Sequence, residues 1–152
     1  MKYFILFFAT GIGIGYSPVA PGTLGSLLSI FIYYFFLSSI NSYIYGFLLI
    51  VFVFFSIAIS EKAQKYFGKK DDQRIVLDEI VGLLFSFLFL EGKLNLILIG
   101  FILFRFFDIL KPFPIRRLEK LFKGGYGIVL DDVVAGIYTN IILQIIFYKI
   151  FH

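Results

Sequence analysis

Cysteine is absent from the 152 residues, and the single histidine is His152, the last residue. Without thiols there are no disulfides, no thiolate nucleophile and no Cys-ligated zinc or iron–sulfur centre. Without an internal histidine there is no Ser-His-Asp triad, no phosphohistidine and no His-rich metal site. Charge is scarce too: 16% of the chain is Asp, Glu, Lys or Arg, against about 25% in an average soluble domain. Any chemistry must therefore use carboxylates, hydroxyls, lysine, arginine and backbone amides.

Apolar surface takes the place of charge. The chain is 60% hydrophobic and 21% aromatic, with a mean hydropathy of +0.94. A soluble domain of this length cannot hide so much, and lipid is the natural solvent for the excess. The length suits one domain covering residues 1–152. The expected architecture is all-α: a polytopic membrane helical bundle with its polar loops gathered on one side.

Residues 24–40 and 43–59 are apolar runs approaching the length of a spanning helix, joined by the tight polar turn Asn41-Ser42 into a helical hairpin. Residues 133–151 form a third, interrupted by Asn140, Gln144 and Lys149; Asn140 and Gln144, four apart, suit interhelical hydrogen bonds. Residues 80–90 and 94–107 are separated by Glu91-Gly92-Lys93. Both fall short of the ~20 residues a span needs, and are expected to be tilted, capped by neighbours or partly inserted. Residues 1–15 begin like a signal peptide, but Pro21 follows the candidate cleavage point at Ala20. A retained helix or re-entrant segment leading into a glycine-rich loop is expected instead.

Alternating five helices from Leu24 onward puts the N-terminal region, residues 60–79 and residues 105–132 on one side. That side carries 12 of the 14 Lys and Arg, all but Lys93 and Lys149. By the positive-inside rule it is cytoplasmic. It also holds nine of the ten acids, a clustering the orientation rule does not require.

Those acids stand at the ends of apolar runs: Asp78-Glu79 before Ile80, Asp108 closing Arg105-Phe106-Phe107-Asp108, and Asp131-Asp132 before Val133. Helix capping accounts for one acid at each helix start. It accounts less well for adjacent pairs, whose second member lies about 100° round the helix, and badly for an acid at a helix C-terminus. The other reading is one shared carboxylate site. Clustered carboxylates repel unless a cation sits among them, and hard oxygen ligands suit Mg²⁺, which also takes substrate phosphates. Arg105 shares a helix face with Asp108, either as a buried salt bridge or as an arginine holding a phosphate oxygen beside the metal.

The stretch Gly11-Ile12-Gly13-Ile14-Gly15-Tyr16-Ser17-Pro18-Val19-Ala20-Pro21-Gly22-Thr23-Leu24-Gly25-Ser26 suits a phosphate-cradling loop feeding a helix N-terminus. It is not a nucleotide motif: Tyr16 breaks GxGxxG, and Gly25-Ser26 lacks the Walker lysine. A plain Pro-Gly turn with Thr23 capping the next helix fits equally. After Lys111-Pro112-Phe113-Pro114, the residues Ile115, Leu118, Leu121 and Phe122 recur at helical spacing among Arg116, Arg117, Lys120 and Lys123. They describe a short basic helix in the head-group layer, attracted to anionic lipid at about 1 kcal/mol per basic residue. Residues 60–74 read as a solvated helix end and loop, with Asp71-Asp72 on the surface.

Together these features point to hydrolysis or transfer at a phosphate on a lipid head group, with metal ions activating water and a carboxylate as base. The haloacid-dehalogenase DxDx[TV] signature and the aspartate motif of the CDP-alcohol phosphotransferases are absent. The blocks 15–26, 78–82 (Asp-Glu-Ile-Val-Gly), 105–116 and 124–136 resemble, in order, those of the phosphatidylglycerophosphatase A family. The resemblance implies a Mg²⁺-dependent, multi-pass enzyme of the bacterial inner membrane whose active site faces the cytoplasm. It would remove the terminal phosphate of phosphatidylglycerophosphate to give phosphatidylglycerol. Its implied partners are the bilayer and its phospholipid substrate, not nucleic acid. On that basis Asp78, Glu79, Asp108, Asp131 and Asp132 form the metal and general-base cluster. Gly22, Thr23, Gly25 and Ser26 receive phosphate oxygens, and Arg105, Lys111 and Arg116 hold the diester or the leaving phosphate. The competing class is a small non-enzymatic membrane carrier or assembly subunit, though a carrier would want its ionisable residues at mid-bilayer.

Overall fold

The computed structural model describes residues 1–69 and 71–151, with the backbone alone for residues 119, 120, 150 and 151. Lys70, His152 and the Lys120 side chain, all part of the sequence reading above, lie outside what is described. Among the described residues every regular element is helical: α1 (Lys2–Ala9), α2 (Pro21–Ile32), α3 (Ser42–Phe67), α4 (Leu77–Phe85), α5 (Leu94–Leu110), α6 (Ile115–Leu121) and α7 (Gly125–Phe151). A 3-10 turn covers Ile14–Tyr16, and a π-helical turn, Tyr33–Leu37, extends α2.

The expected hairpin forms where Asn41 caps α3, its side chain accepting from the Tyr43 N–H at 3.0 Å. α3 then runs unbroken to Gly68, whose φ of 69° supplies the left-handed C-cap. Residues 60–67 are thus the expected helix end, with the loop beginning after Gly68. α3 and α7 (Gly125–Lys149 of it) are long and apolar enough to cross a membrane. Their outer faces match that solvent: Phe47, Ile50 and Phe54 of α3 and Ile141 and Ile145 of α7 are each more than half exposed, far beyond the apolar patches water tolerates.

α4 does not span. Nine residues at 1.5 Å each reach about 14 Å, and the chain then turns irregularly through residues 86–89. Backbone carbonyls in an apolar interior need donors, and α7 delivers them. Asn140 Nδ2 donates to the carbonyls of Ser86 (3.0 Å) and Leu88 (2.8 Å), and Gln144 Nε2 to those of Leu88 (3.0 Å) and Phe89 (3.3 Å). The expected interhelical donors thus serve a turn. Three hydroxyls stitch α4 and the segment after it in the same way: Ser29 to the Ile80 carbonyl, Tyr45 to Leu84 and Tyr33 to Leu90.

The N-terminal segment enters and returns. Lys2 lies over the Tyr66 ring and Tyr16 beside Phe67, whereas Phe8 between them meets Phe55. Twelve helical residues, roughly 18 Å, separate Phe55 from Phe67, so α1 dips along α3 and the glycine-rich loop climbs back.

The start of α7 differs from expectation. The helix begins at Gly125, so Asp131 and Asp132 lie six and seven residues inside it rather than at its cap. Gly124 turns with φ 66°, and the Gly125 N–H donates to Glu61 Oε2 of α3 at 2.6 Å. An acceptor 64 residues away caps this helix, which no local pattern announces. Likewise α2 begins at Pro21, so Thr23 is inside the first turn and does not cap it.

α4 and α7 make the most extensive contact in the bundle, and glycine permits it. A Cβ on Gly136 would collide with the Gly82 carbonyl oxygen, and one on Gly82 would sit 2.7 Å from the Asp132 carbonyl oxygen. Below this seam Leu83, Phe87, Ile97, Phe104 and Leu143 fill the core. Gly136→Ala should therefore force the helices apart. Overpacking of this kind costs about 1–3 kcal/mol, to be read as a lower unfolding midpoint in detergent; an unchanged midpoint would show the seam to be loose.

Candidate metal and phosphate site

Asp78 and Glu79 occupy the first turn of α4, with no side-chain cap bond at its N-terminus. The glycine seam sets their neighbour: Asp78 lies one turn before Gly82, and Asp132 one turn before Gly136. In consequence, one carboxylate oxygen each from Asp78, Glu79 and Asp132 lie within 4.8 Å of one another. Asp78 is 8% exposed and Asp132 4%.

Asp108 and Asp131 flank this trio, each in an ion pair. Arg105 Nη1 donates to Asp108 Oδ2 at 2.6 Å, one turn apart on α5, and Lys111 Nζ donates to Asp131 Oδ2 at 2.7 Å. Both pairs are largely shielded from solvent. Asp108 is close enough to raise Glu79, and Arg105 to lower it.

The start of α2 closes the site. A Cβ on Gly22 would collide with Glu79 Oε1 and stand 3.4 Å from Arg105 Nη1. The first intrahelical bond of α2 runs from the Leu24 N–H to the Ala20 carbonyl, so the N–H groups of Gly22 and Thr23 have no intrahelical acceptor and carry the positive end of the helix dipole. Gly25 and Ser26 are placed differently. Gly25 packs on Val76 at the entry to α4. Ser26 is fully buried, its Oγ donating to the Gly22 carbonyl at 3.0 Å. Arg116, on α6, is exposed and lines an open pocket of about 490 Å³ with Lys111.

Burial dominates the electrostatics. It pushes the Asp78 carboxyl well above the usual carboxylate range, with the adjacent Glu79 adding to the push. It raises Glu79 to about 7 against the hydrogen bond from Asp78. Asp78 Oδ1 and Glu79 Oε2 are buried without a hydrogen-bond partner. Such atoms are costly to leave unmatched, and buried charges are stable only when paired or coordinating a metal. Hard, closely spaced, unmatched oxygens are the donor set of a hard divalent cation. The residues present fit one.

Two supports of the site escaped the sequence reading. Glu61 is one: it looked like part of a solvated helix end, yet it anchors α7. The other is Asp72, expected on the surface beside Asp71. Asp71 is exposed, but Asp72 is only 7% exposed. It accepts from Arg74 Nε and Nη2 at 2.7 and 2.8 Å and from the Arg74 backbone N–H at 3.0 Å. The guanidinium in turn lies 3.9 Å over the Phe67 ring. The Asp-x-Arg spacing was the available signal. This lock holds the approach to Asp78.

The phosphatidylglycerophosphatase A family profile matches residues 7–147, taking in every residue of the site. The chain belongs to the phosphatidylglycerophosphatase A family. Its relatives include a Bacteroides thetaiotaomicron protein named, provisionally, a phosphatidylinositol-3-phosphatase, 38% identical over 143 residues (90% of this chain, 89% of the relative). The Escherichia coli K12 protein named phosphatidylglycerophosphatase A is 33% identical over 139 residues (91% and 80%). A Haemophilus influenzae protein of that name is 38% identical over 144 residues (92% and 86%). No solved structure matches the chain.

Arg74 holds the Asp72 carboxyl below the usual range, chiefly through their side-chain hydrogen bond. A depressed carboxylate stabilises the fold above its unfolded value, about pH 4, and loses that contribution as pH falls through the lowered one. Asp72→Asn should therefore unfold at lower temperature than the parent at neutral pH, and the gap should close on acidification below about pH 4. A gap independent of pH would show that the ion pair is not the lock.

Proposed function

We propose that the chain is a lipid phosphatase that hydrolyses the terminal phosphomonoester of phosphatidylglycerophosphate, using Mg²⁺ at the Asp78, Glu79 and Asp132 carboxylates. The observation that carries this reading is the trio itself: three carboxylate oxygens within 4.8 Å, walled by an apolar bundle and bordered by a helix N-terminus and Arg105. Membership of the family and the printed names of two relatives support the reaction and its substrate.

In this reading the amides of Gly22 and Thr23 bind phosphate oxygens, and Arg105, aimed by Asp108, orients the phosphoryl group. Asp131, held by Lys111, adds negative charge beside the cation site. A bound divalent cation supplies charge neutralisation and acidifies the attacking water. A carboxylate of the cluster takes the proton from that water as its oxygen bonds to phosphorus. The bond from phosphorus to the head-group oxygen breaks, and that oxygen takes up the proton the carboxylate received, leaving as the alcohol of phosphatidylglycerol.

The same reading places the chain as a multi-pass protein of a bacterial inner membrane with its site toward the cytoplasm. The exposed apolar faces of α3 and α7 support the membrane. The hydrogen bond from Gly125 to Glu61 keeps the C-terminal end of one candidate span and the N-terminal end of the other at one face. Most of the basic residues stand at that face, as the positive-inside rule requires of the cytoplasm.

The test is release of phosphate by purified protein in detergent micelles, with and without Mg²⁺, from phosphatidylglycerophosphate and phosphatidylinositol 3-phosphate side by side. Turnover of the first should require the metal. Glu79→Gln and Asp132→Asn should each lower it by at least about a hundredfold while helicity is kept, and Asp71→Asn should be nearly silent. No metal-dependent turnover of either lipid would leave the cluster to a carrier or an assembly subunit.

A further inference from the structure

We infer that the open pocket beside Lys111 is a subsite for a phosphodiester, so that the enzyme selects lipids carrying two phosphates: a diester next to the diacylglycerol and a monoester one polyol further on. The inference rests on the phosphatase reading and extends it to a part of the surface that the carboxylate site does not use.

The pocket is lined by Leu110, Lys111, Pro112, Phe113, Arg116 and Arg117 and has a volume of about 490 Å³. Its cations differ in what they are free to do. Lys111 is committed to Asp131 at 2.7 Å, which makes it the wall shared by pocket and carboxylate cluster. Arg116 and Arg117 are exposed, and no ion pair of either with an acid is found among the described residues. Two adjacent exposed guanidinium groups, with no carboxylate partner among the described residues, are a phosphate-binding arrangement, since each presents a planar fork of donors. Arg105 is not part of it: that side chain is spoken for by Asp108 and stands at Glu79 and Gly22. The basic residues therefore divide into two groups, one at each of two anion positions, with Lys111 between them.

The rim says which phosphate belongs where. Phe113 is 75% exposed and Leu110 53%, and Ile109 beside them is 67% exposed. An exposed apolar rim around paired arginines suits the boundary between head groups and hydrocarbon. In a glycerophospholipid the group at that boundary is the phosphate bonded to the diacylglycerol. A diester held there directs the polyol and its terminal monoester past Lys111 to the carboxylates. A lipid whose only phosphate is a monoester attached directly to diacylglycerol cannot occupy both positions, so it forfeits the pocket or the reaction site.

The experiment compares phosphatidylglycerophosphate with phosphatidic acid, which bears a monoester on the same diacylglycerol but no diester. Phosphate release is measured in neutral detergent micelles for the parent, Arg116→Gln, Arg117→Gln and Lys123→Gln. The ratio of kcat/KM for the two lipids should fall about tenfold in either arginine variant, chiefly through KM, as expected for one lost charge-assisted hydrogen bond to phosphate. Lys123→Gln removes the same charge from the same face outside the pocket and should leave the ratio within about twofold. A parallel loss on both lipids, with the ratio unchanged in all variants, would mean that the arginines only attract anionic surfaces, and would overturn the subsite. A second arm does not need turnover: phosphatidylglycerol, which has the diester alone, is titrated into the same micelles and its adducts are counted by native mass spectrometry. The arginine variants should lose adducts that the parent and Lys123→Gln retain; equal adducts in all four would also overturn the proposal. A parent that releases no phosphate but keeps an arginine-dependent adduct would refute the phosphatase reading and leave the subsite standing.

Discussion

Like charges held close together in a medium of low dielectric repel strongly, and the whole architecture is arranged around one such concentration. Asp78, Glu79 and Asp132 bring carboxylate oxygens within 4.8 Å in a protein that is otherwise largely hydrocarbon. Their proximity is imposed by backbone packing. Gly82 and Gly136 let α4 and α7 approach until a Cβ on either would meet the opposite backbone, and the acids one turn earlier on each helix are carried together. Desolvation then favours the protonated forms of Asp78 and Glu79, and a cation or a proton relieves the arrangement. A site under that constraint offers the closely spaced oxygen donors that a hard cation takes.

The surroundings limit the repulsion without abolishing it. Arg105 and Lys111 each hold one flanking acid, Asp108 and Asp131, while two oxygens of the trio stay without partners. The N-terminus of α2 adds a fixed partial positive charge that needs no counter-ion. Gly22 is required there because a side chain would strike Glu79. Placing all this in an apolar bundle leaves irregular backbone at depth, and the protein meets that demand with side-chain amides and hydroxyls from α7, α2 and α3. The short α4 is thus possible because Asn140 and Gln144 serve the turn behind it.

Much of this was legible in the chain. The apolar runs, the turn at Asn41, the shortness of the run 80–90 and the position of Asp78, Glu79, Asp108, Asp131 and Asp132 at the borders of apolar runs could all be read locally. The family blocks could be read because they are contiguous. The length of α7 could not, since it opens with Gly125-Tyr126-Gly127, Asp131-Asp132 interrupt its apolar run, and its cap, Glu61, comes from another helix. Asp72 was misjudged because a charged residue in a loop is ordinarily solvated; its burial depends on Arg74 being pinned against Phe67. Ser26, grouped with the phosphate-contacting residues by position, turns inward to its own helix.

What the sequence alone determined was chemical possibility. With no cysteine and no internal histidine, carboxylates, hydroxyls, lysine, arginine and backbone amides were the only groups left, and hydropathy set the acids at the borders of apolar runs. Tertiary structure decided which of those groups meet. Residues 78 and 132 are neighbours, and 108 and 131 are pulled aside into ion pairs, because of where two glycines permit contact and which cation each acid can reach. The approach of Asp132 to Asp78 depends on contact between segments far apart in the chain, which no periodicity within a single helix encodes, whereas the Arg105–Asp108 pair lies three residues apart on one helix and was legible from spacing.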